Sequence, residues 1–194
     1  MEDKRVVSKT FYKRRDHVKF YTFHSIFRSS STILIILVLA FMIYNAIRTT
    51  NTYALEDGVN NVILIWGMTG ATISILPLIL IIRVNDVVKQ ETGDRVESTD
   101  TIEVTKVKIQ KSNDKFPGKL VISWNQIETI CETKKYFYIY TGPKQGIFIV
   151  KKDITEGDEN TFRRLAFENL KKQKGKVPYK FYFTKRIKPN VKWL

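Results

Sequence analysis

The sequence predicts an α+β membrane protein: two transmembrane helices carrying a cytoplasmic antiparallel β-roll that is capped by a C-terminal helix. Three observations predict it. Residues 29–47 and 62–82 are runs of 19 and 21 residues without a charged side chain, and roughly 20 mostly apolar residues cross about 30 Å of hydrocarbon. Beyond residue 100 the hydrophobic period shortens to two and the chain divides into short segments separated by turn residues. The net charge of +14 is distributed unevenly about the two runs.

The first segment, residues 1–28, holds 8 basic and 3 acidic side chains. It reads as a cytoplasmic amphipathic segment leading into the first span, residues 29–47. A cleaved signal peptide fits poorly, because 28 residues of polar character precede the apolar run. The connector, residues 48–61, holds Arg48 against Glu56 and Asp57. Residues 83–194, beyond the second span at 62–82, hold 24 basic and 14 acidic side chains. Lys and Arg beside spans favour the cytoplasmic side. Both termini are therefore expected in the cytoplasm, and the connector outside. Neither span contains Asp, Glu, Lys, Arg or His, the groups that ion paths and proton relays use.

The second span carries Gly67, Gly70, Ala71 and Ser74 at spacings of three and four. This places small residues on one helix face, where helix backbones approach closely in lipid. The expected partner is the first span of the same chain, with a second copy as the alternative. Pro77 is expected to bend the last turns of this span.

Residues 83–100 read as a helical linker ended by Gly93. Residues 101–109 alternate, with a bulge or bend near Thr105 where the parity slips. Ser112, Asn113, Asp114 and Lys115 supply a turn. Strands are expected at 119–124, 127–131, 136–141 and 147–150, with turns at 133–135 and 142–146. Thr155 and Asp158 are placed to cap a helix. In it Phe162, Leu165, Ala166, Asn169 and Leu170 form an apolar stripe, with Arg163 on the solvent side. Gly175 is expected to end it. The compact unit spans 101–174, and 175–194 is a basic and aromatic C-terminal segment.

Ser123-Trp124-Asn-Gln-Ile127-Glu-Thr-Ile130-Cys-Glu132-Thr133-Lys-Lys-Tyr136-Phe-Tyr-Ile-Tyr140 resembles the YcxB-like family of bacterial membrane proteins. The family pattern is a Trp, an Ile three later, another three after that, then Glu-Thr and an aromatic strand. It continues with a strand, Pro-Lys-Arg, a short acidic linker and a helix. Here Ile147-Phe-Ile-Val150-Lys151-Lys152-Asp153-Ile154 is followed by Phe162 and Leu165, with Val150 where the family commonly has Pro. Residues 16–24 are similar to the family's helix ahead of the first span. The resemblance implies a two-span protein of the bacterial cell membrane with a pleckstrin-homology-like cytoplasmic domain. It offers no catalytic residues to carry over, and the family's function is largely uncharacterised.

No nucleophile motif, phosphate-binding glycine loop or zinc spacing occurs. The single Cys131 is expected to be a buried apolar residue. His17 and His24, seven apart, fall near one helix face, where a solvated or interfacial pair is favoured over a pH sensor. Trp124 reads as a core plug, and Glu132 and Lys134 as turn charges. The expectation is a binding or scaffolding module without catalysis, cofactor or metal. A small transport- or pore-associated subunit is the alternative.

The C-terminal segment interleaves Lys180, Lys185, Arg186 and Lys188 with aromatic residues and contains no acid. This suits anionic lipid headgroups, favoured over nucleic acid because the second span tethers the segment near the inner leaflet. A further strand at 179–184 is equally compatible. An unidentified protein partner and a homo-oligomer stay open.

Overall fold

The computed structural model describes residues 5–11, 13–53, 59–92, 98–143, 145–170 and 179–184. The chain divides into two units: residues 14–93, and a second unit formed by residues 1–13 together with 94–194.

The helical unit contains α1 (Arg14–Phe27), α2 (Ser30–Tyr53) and α3 (Val59–Thr92). At 1.5 Å per residue, the 34-residue α3 is about 51 Å long and exceeds the hydrocarbon thickness. Its apolar part ends at Ile82, and Arg83, Asp86 and Lys89 mark its last turns. The helix runs through Pro77 without interruption. On α3 the less exposed positions Val62, Ile65, Thr69, Thr72, Leu76 and Leu80 recur at three and four and make one face. The Trp66 indole donates to the Thr50 hydroxyl at 2.8 Å and ties α3 to α2. Phe20 and Phe23 on α1 and Val84 and Val88 on α3 are buried within this unit. The remaining apolar surface points outward: Leu37, Phe41 and Tyr44 on α2, and Leu64, Met68 and Ile79 on α3, are all exposed.

Among its described residues the β unit has nine strands: β1 (Val6–Phe11), β2 (Thr99–Val104), β3 (Lys108–Asn113), β4 (Lys119–Ser123), β5 (Thr129–Glu132), β6 (Tyr136–Tyr140), β7 (Gly146–Val150), β8 (Ile154–Glu156) and β9 (Tyr179–Phe181). The α-helix α4 (Glu159–Leu170) accompanies them. The strands form two sheets, in the orders β4-β3-β2-β1-β8 and β7-β6-β5-β9. Ile102, Ile109 and Trp124 meet Ile130, Phe137 and Ile149, and Phe162, Leu165, Ala166 and Leu170 of α4 complete a single core. Burying such side chains stabilises the unit by roughly 1.5–3 kcal/mol each. Trp124 is buried as expected, and its indole N–H donates to the Thr105 carbonyl at 3.0 Å. All five residues of β6 are buried, and so is Cys131.

Several expectations are corrected. The N-terminal segment is not simply a helix leading into a span. Residues 6–11 form β1, an inner strand between β2 and β8, and the helix begins only at Arg14. Of the two alternatives near Thr105 the structure shows the bend and not the bulge, and the bend is sharp enough to make a hairpin: Thr105 N–H donates to the Lys108 carbonyl at 2.9 Å and β3 folds back on β2. The roll is not wholly antiparallel, because β9 runs parallel to β5. The cap of α4 is Asp158, whose carboxylate accepts the Thr161 N–H at 2.6 Å. The hydrogen bonds from Thr161 hold that carboxyl below its ordinary range. Thr155 instead lies in β8 and donates to the Val7 carbonyl at 3.2 Å.

The turn into α4 depends on Gly157, which sits at φ +74°. A Cβ there would lie 2.7 Å from the Arg5 carbonyl oxygen. The positive φ and the close backbone both require glycine. Gly93 and Gly175, expected to end helices, lie outside the described residues.

Candidate functional site

Four elements of the β unit converge on one carboxylate. Glu132 is the last residue of β5 and is fully buried, at 0% exposed. Lys151 follows β7 and is anchored by its own N–H, which donates to the Lys135 carbonyl at 3.0 Å. Arg163 lies on α4 and is 3% exposed. Tyr179 opens β9. The Glu132 Oε1 accepts from Lys151 Nζ at 2.6 Å and from Arg163 Nη2 at 2.6 Å. Its Oε2 accepts from Arg163 Nε at 3.1 Å and from the Tyr179 hydroxyl at 2.7 Å.

A second carboxylate completes the cluster. Glu159 Oε2 lies 2.7 Å from Arg163 Nη2 and 3.0 Å from Lys151 Nζ. Arg163 Nη1 donates to Asn160 Oδ1 at 2.7 Å. The Phe137 ring lies beneath both cations, 4.6 Å from Lys151 Nζ and 5.9 Å from Arg163 Cζ. Two carboxylates and two cations leave no net charge, the condition under which ions persist in an apolar interior.

Burial alone would raise the Glu132 pKa. The hydrogen bonds from Arg163, Lys151 and Tyr179 outweigh it and hold the carboxyl below its ordinary range. Burial and the neighbouring Glu132 charge push the Tyr179 hydroxyl far above its usual value, so it stays a donor. Desolvation acts against the Arg163 charge, but Glu132 and Glu159 raise its pKa overall. The cluster thus favours an ionised Glu132 beside a charged Arg163 and a protonated Tyr179. One carboxylate ties α4, the end of β7 and β9 to β5. The Tyr182 N–H adds to this by donating to the Glu132 carbonyl at 2.8 Å.

These residues correct the sequence reading twice. Glu132 is not a turn charge, and Arg163 is not on the solvent side of its helix. The expected stripe of Phe162, Leu165, Ala166, Asn169 and Leu170 is buried, and Arg163 is buried beside it. A possible signal was the spacing of Glu159 and Arg163, an i,i+4 pair on one face.

The other singled-out residues do not join this cluster as site groups. Lys180 is exposed on β9. Lys185, Arg186 and Lys188 lie outside the described residues. Gly67, Gly70, Ala71 and Ser74 are exposed on α3, and a Cβ at Gly67 or Gly70 would meet nothing within 4 Å. The less exposed side of α3 runs instead through Thr69 and Thr72, and the small-residue face stays exposed. His17 and His24 both lie on α1 and are partly buried. No group of three or more His, Cys, Asp or Glu able to hold a metal ion occurs among the described residues.

Two long apolar helices and a β unit of mainly antiparallel sheets define an α+β protein with two candidate membrane helices, at residues 34–52 and 60–90. Residues 116–166 match the family model described as YcxB-like protein. The matched segment runs from the β3–β4 turn into α4 and contains Glu132, Lys151, Glu159 and Arg163. No curated protein and no solved structure matches the chain.

Proposed function

We propose that this is a two-span protein of the bacterial cell membrane, with both termini cytoplasmic, whose β unit is a pleckstrin-homology-like binding or scaffolding module without catalytic activity. The observation that carries the reading is the outward display of apolar side chains along α2 and α3. Leu37, Phe41, Leu64 and Ile79 are exposed over uncharged stretches of spanning length. In water such a surface is an aggregation liability, and in lipid it is the favoured arrangement. Two sheets sealed by one C-terminal helix support the module assignment, and the basic flanks support the orientation. The basic C-terminal segment, through Lys180, Lys185, Arg186 and Lys188, adds attraction to anionic headgroups.

Alkaline extraction of native membranes tests the reading. The full chain stays with the lipid pellet if α2 and α3 span, and release into the supernatant overturns it. A second reading, a subunit of a larger transport assembly, is favoured by one observation. The Gly67/Gly70/Ala71/Ser74 face of α3 is left exposed by its own chain. A native mass measurement in detergent that finds only monomer removes that alternative.

A further inference from the structure

One end of the five-stranded sheet differs from the rest of the β unit. Phe11 ends β1 in register with Thr99, the first residue of β2, and Asp100 of β2 is in register with Asn113 of β3. The chain therefore leaves for α1 and returns from α3 at the same sheet end. Residues 12 and 13 join Phe11 to α1, and residues 93–98 join α3 to β2. The β3–β4 turn, residues 114–118, lies at this end too.

Exposed apolar and basic side chains gather there. Phe11, Phe116 and Leu120 are 51%, 41% and 51% exposed. Lys9, Thr101, Ser112 and Lys119 form one row across four strands, with Lys119 closing it at the β4 edge. Lys13 and Lys115 are also exposed. Among the described residues the acids there are fewer: Asp100 is paired with Lys111 at 2.7 Å, leaving the exposed Asp114. The turn is held in shape by Asn113, whose Oδ1 accepts the N–H groups of Lys115 at 2.9 Å and Phe116 at 3.1 Å. Phe116 and Lys115 are thus displayed together by a fixed backbone.

We propose that this sheet end is a lipid-contact rim. Phe11, Phe116 and Leu120 enter the interfacial zone of an anionic leaflet, and Lys9, Lys13, Lys115 and Lys119 meet its headgroup phosphates. Aromatic and aliphatic side chains gain by leaving water, while lysines keep their ammonium groups at headgroup level. The inference rests on the two-span reading and goes beyond it. The lipid contact falls on the folded β unit, at a site separate from the C-terminal segment, and it would orient the module against the bilayer.

The test uses the full chain in vesicles with brominated acyl chains, and a bimane label on Cys placed by Pro117→Cys in the turn. Val107→Cys, in the exposed hairpin at the opposite end of the sheet, is the comparison, and Leu37→Cys on α2 is the reference. The rim predicts quenching at position 117, but not at 107, in vesicles containing phosphatidylglycerol. It predicts that salt weakens this quenching, and that Lys115→Gln with Lys119→Gln lowers it by about half or more. Position 117 unquenched while 37 is quenched overturns the rim and leaves the two-span reading standing. Equal quenching at 117 in phosphatidylcholine alone, whose phosphates are balanced by choline, overturns the attraction to an anionic leaflet. Position 37 unquenched overturns the two-span reading itself.

Discussion

The β unit and the helical unit place their side chains in opposite senses. In the β unit Ile130, Ile139, Ile149 and Phe162 are fully buried, and a carboxylate taken inside, Glu132, is met by Lys151, Arg163 and Tyr179. On α2 and α3 large apolar side chains, Leu37, Phe41 and Leu64 among them, point outward, and the buried face of α3 passes through a threonine, Thr69. That hydroxyl is satisfied locally by the Ile65 carbonyl at 2.8 Å. On the proposed two-span reading the contrast follows from solvent. A unit in water must collect its apolar area inside, and any ion it buries needs a matched partner. Helices in lipid gain nothing by hiding leucine and need only satisfy their backbone and hydroxyl groups.

The contrast is broken most strongly at the clamp. Glu132→Gln keeps the shape but leaves Lys151 and Arg163 short of one counter-charge. Removing one partner of a buried pair costs about 3–5 kcal/mol. Denaturant unfolding of the full chain in detergent, followed by proteolysis of the β unit, should show this loss with α2 and α3 still protected. An unchanged midpoint would mean that the carboxylate is not ionised in the fold.

Leu37→Arg sharpens the other side. On a water-facing helix an exposed leucine is replaced by arginine at little cost. At a lipid-facing helix centre the change costs about 2.5–3.5 kcal/mol in insertion. The fraction of chain recovered in the membrane should fall, while Val107→Arg at an exposed position of the β unit leaves it unaltered.

Gly157→Ala comes next. Positive φ and a close approach to the Arg5 carbonyl both oppose a Cβ, and such strain costs on the order of 1–3 kcal/mol. Thermal melting of the β unit should drop, with the helical unit unaffected. A rise in stability would show that this turn can relax.

The acid limb of stability gives the smallest and most specific signal. Glu132 has its pKa lowered on folding, so its stabilisation is complete above its ordinary value of 4.5. It is lost as pH falls from there through the lower folded value. Tyr179 is raised on folding, so its contribution is complete below its ordinary value of 10.0 and falls as pH rises above it. The Glu132→Gln variant should lose the acid-limb dependence, and Tyr179→Phe the alkaline one.

Much of this arrangement was legible in the chain, unit by unit. The apolar runs at 29–47 and 62–82 carry their own signal, because lipid imposes no period to be disguised. The strands β4 to β7 and the stripe on α4 follow from alternation and from the 3.6 period. β1 was hidden because its core-facing side is Val6, Ser8 and Thr10, two of them polar, so no apolar alternation marks it. The clamp was hidden for a different reason. Its partners stand 19, 31 and 47 residues from Glu132, and each alone resembles a solvated charge. Only the closure of two sheets and a helix brings them to one point. The small-residue face was legible as a face, but its partner was not, since helix rotation decides whether α2 meets Gly67 or Thr69.

The central claim is that α2 and α3 cross a membrane and leave the β unit on the cytoplasmic side. Labelling of intact cells with an impermeant thiol reagent tests it most directly, using Asn60→Cys at the start of α3 and Lys115→Cys in the β unit, both exposed positions. The native Cys131 is buried and silent. The account predicts labelling at position 60 in intact cells, and at position 115 only after the membrane is opened. Labelling at 115 in intact cells would contradict it.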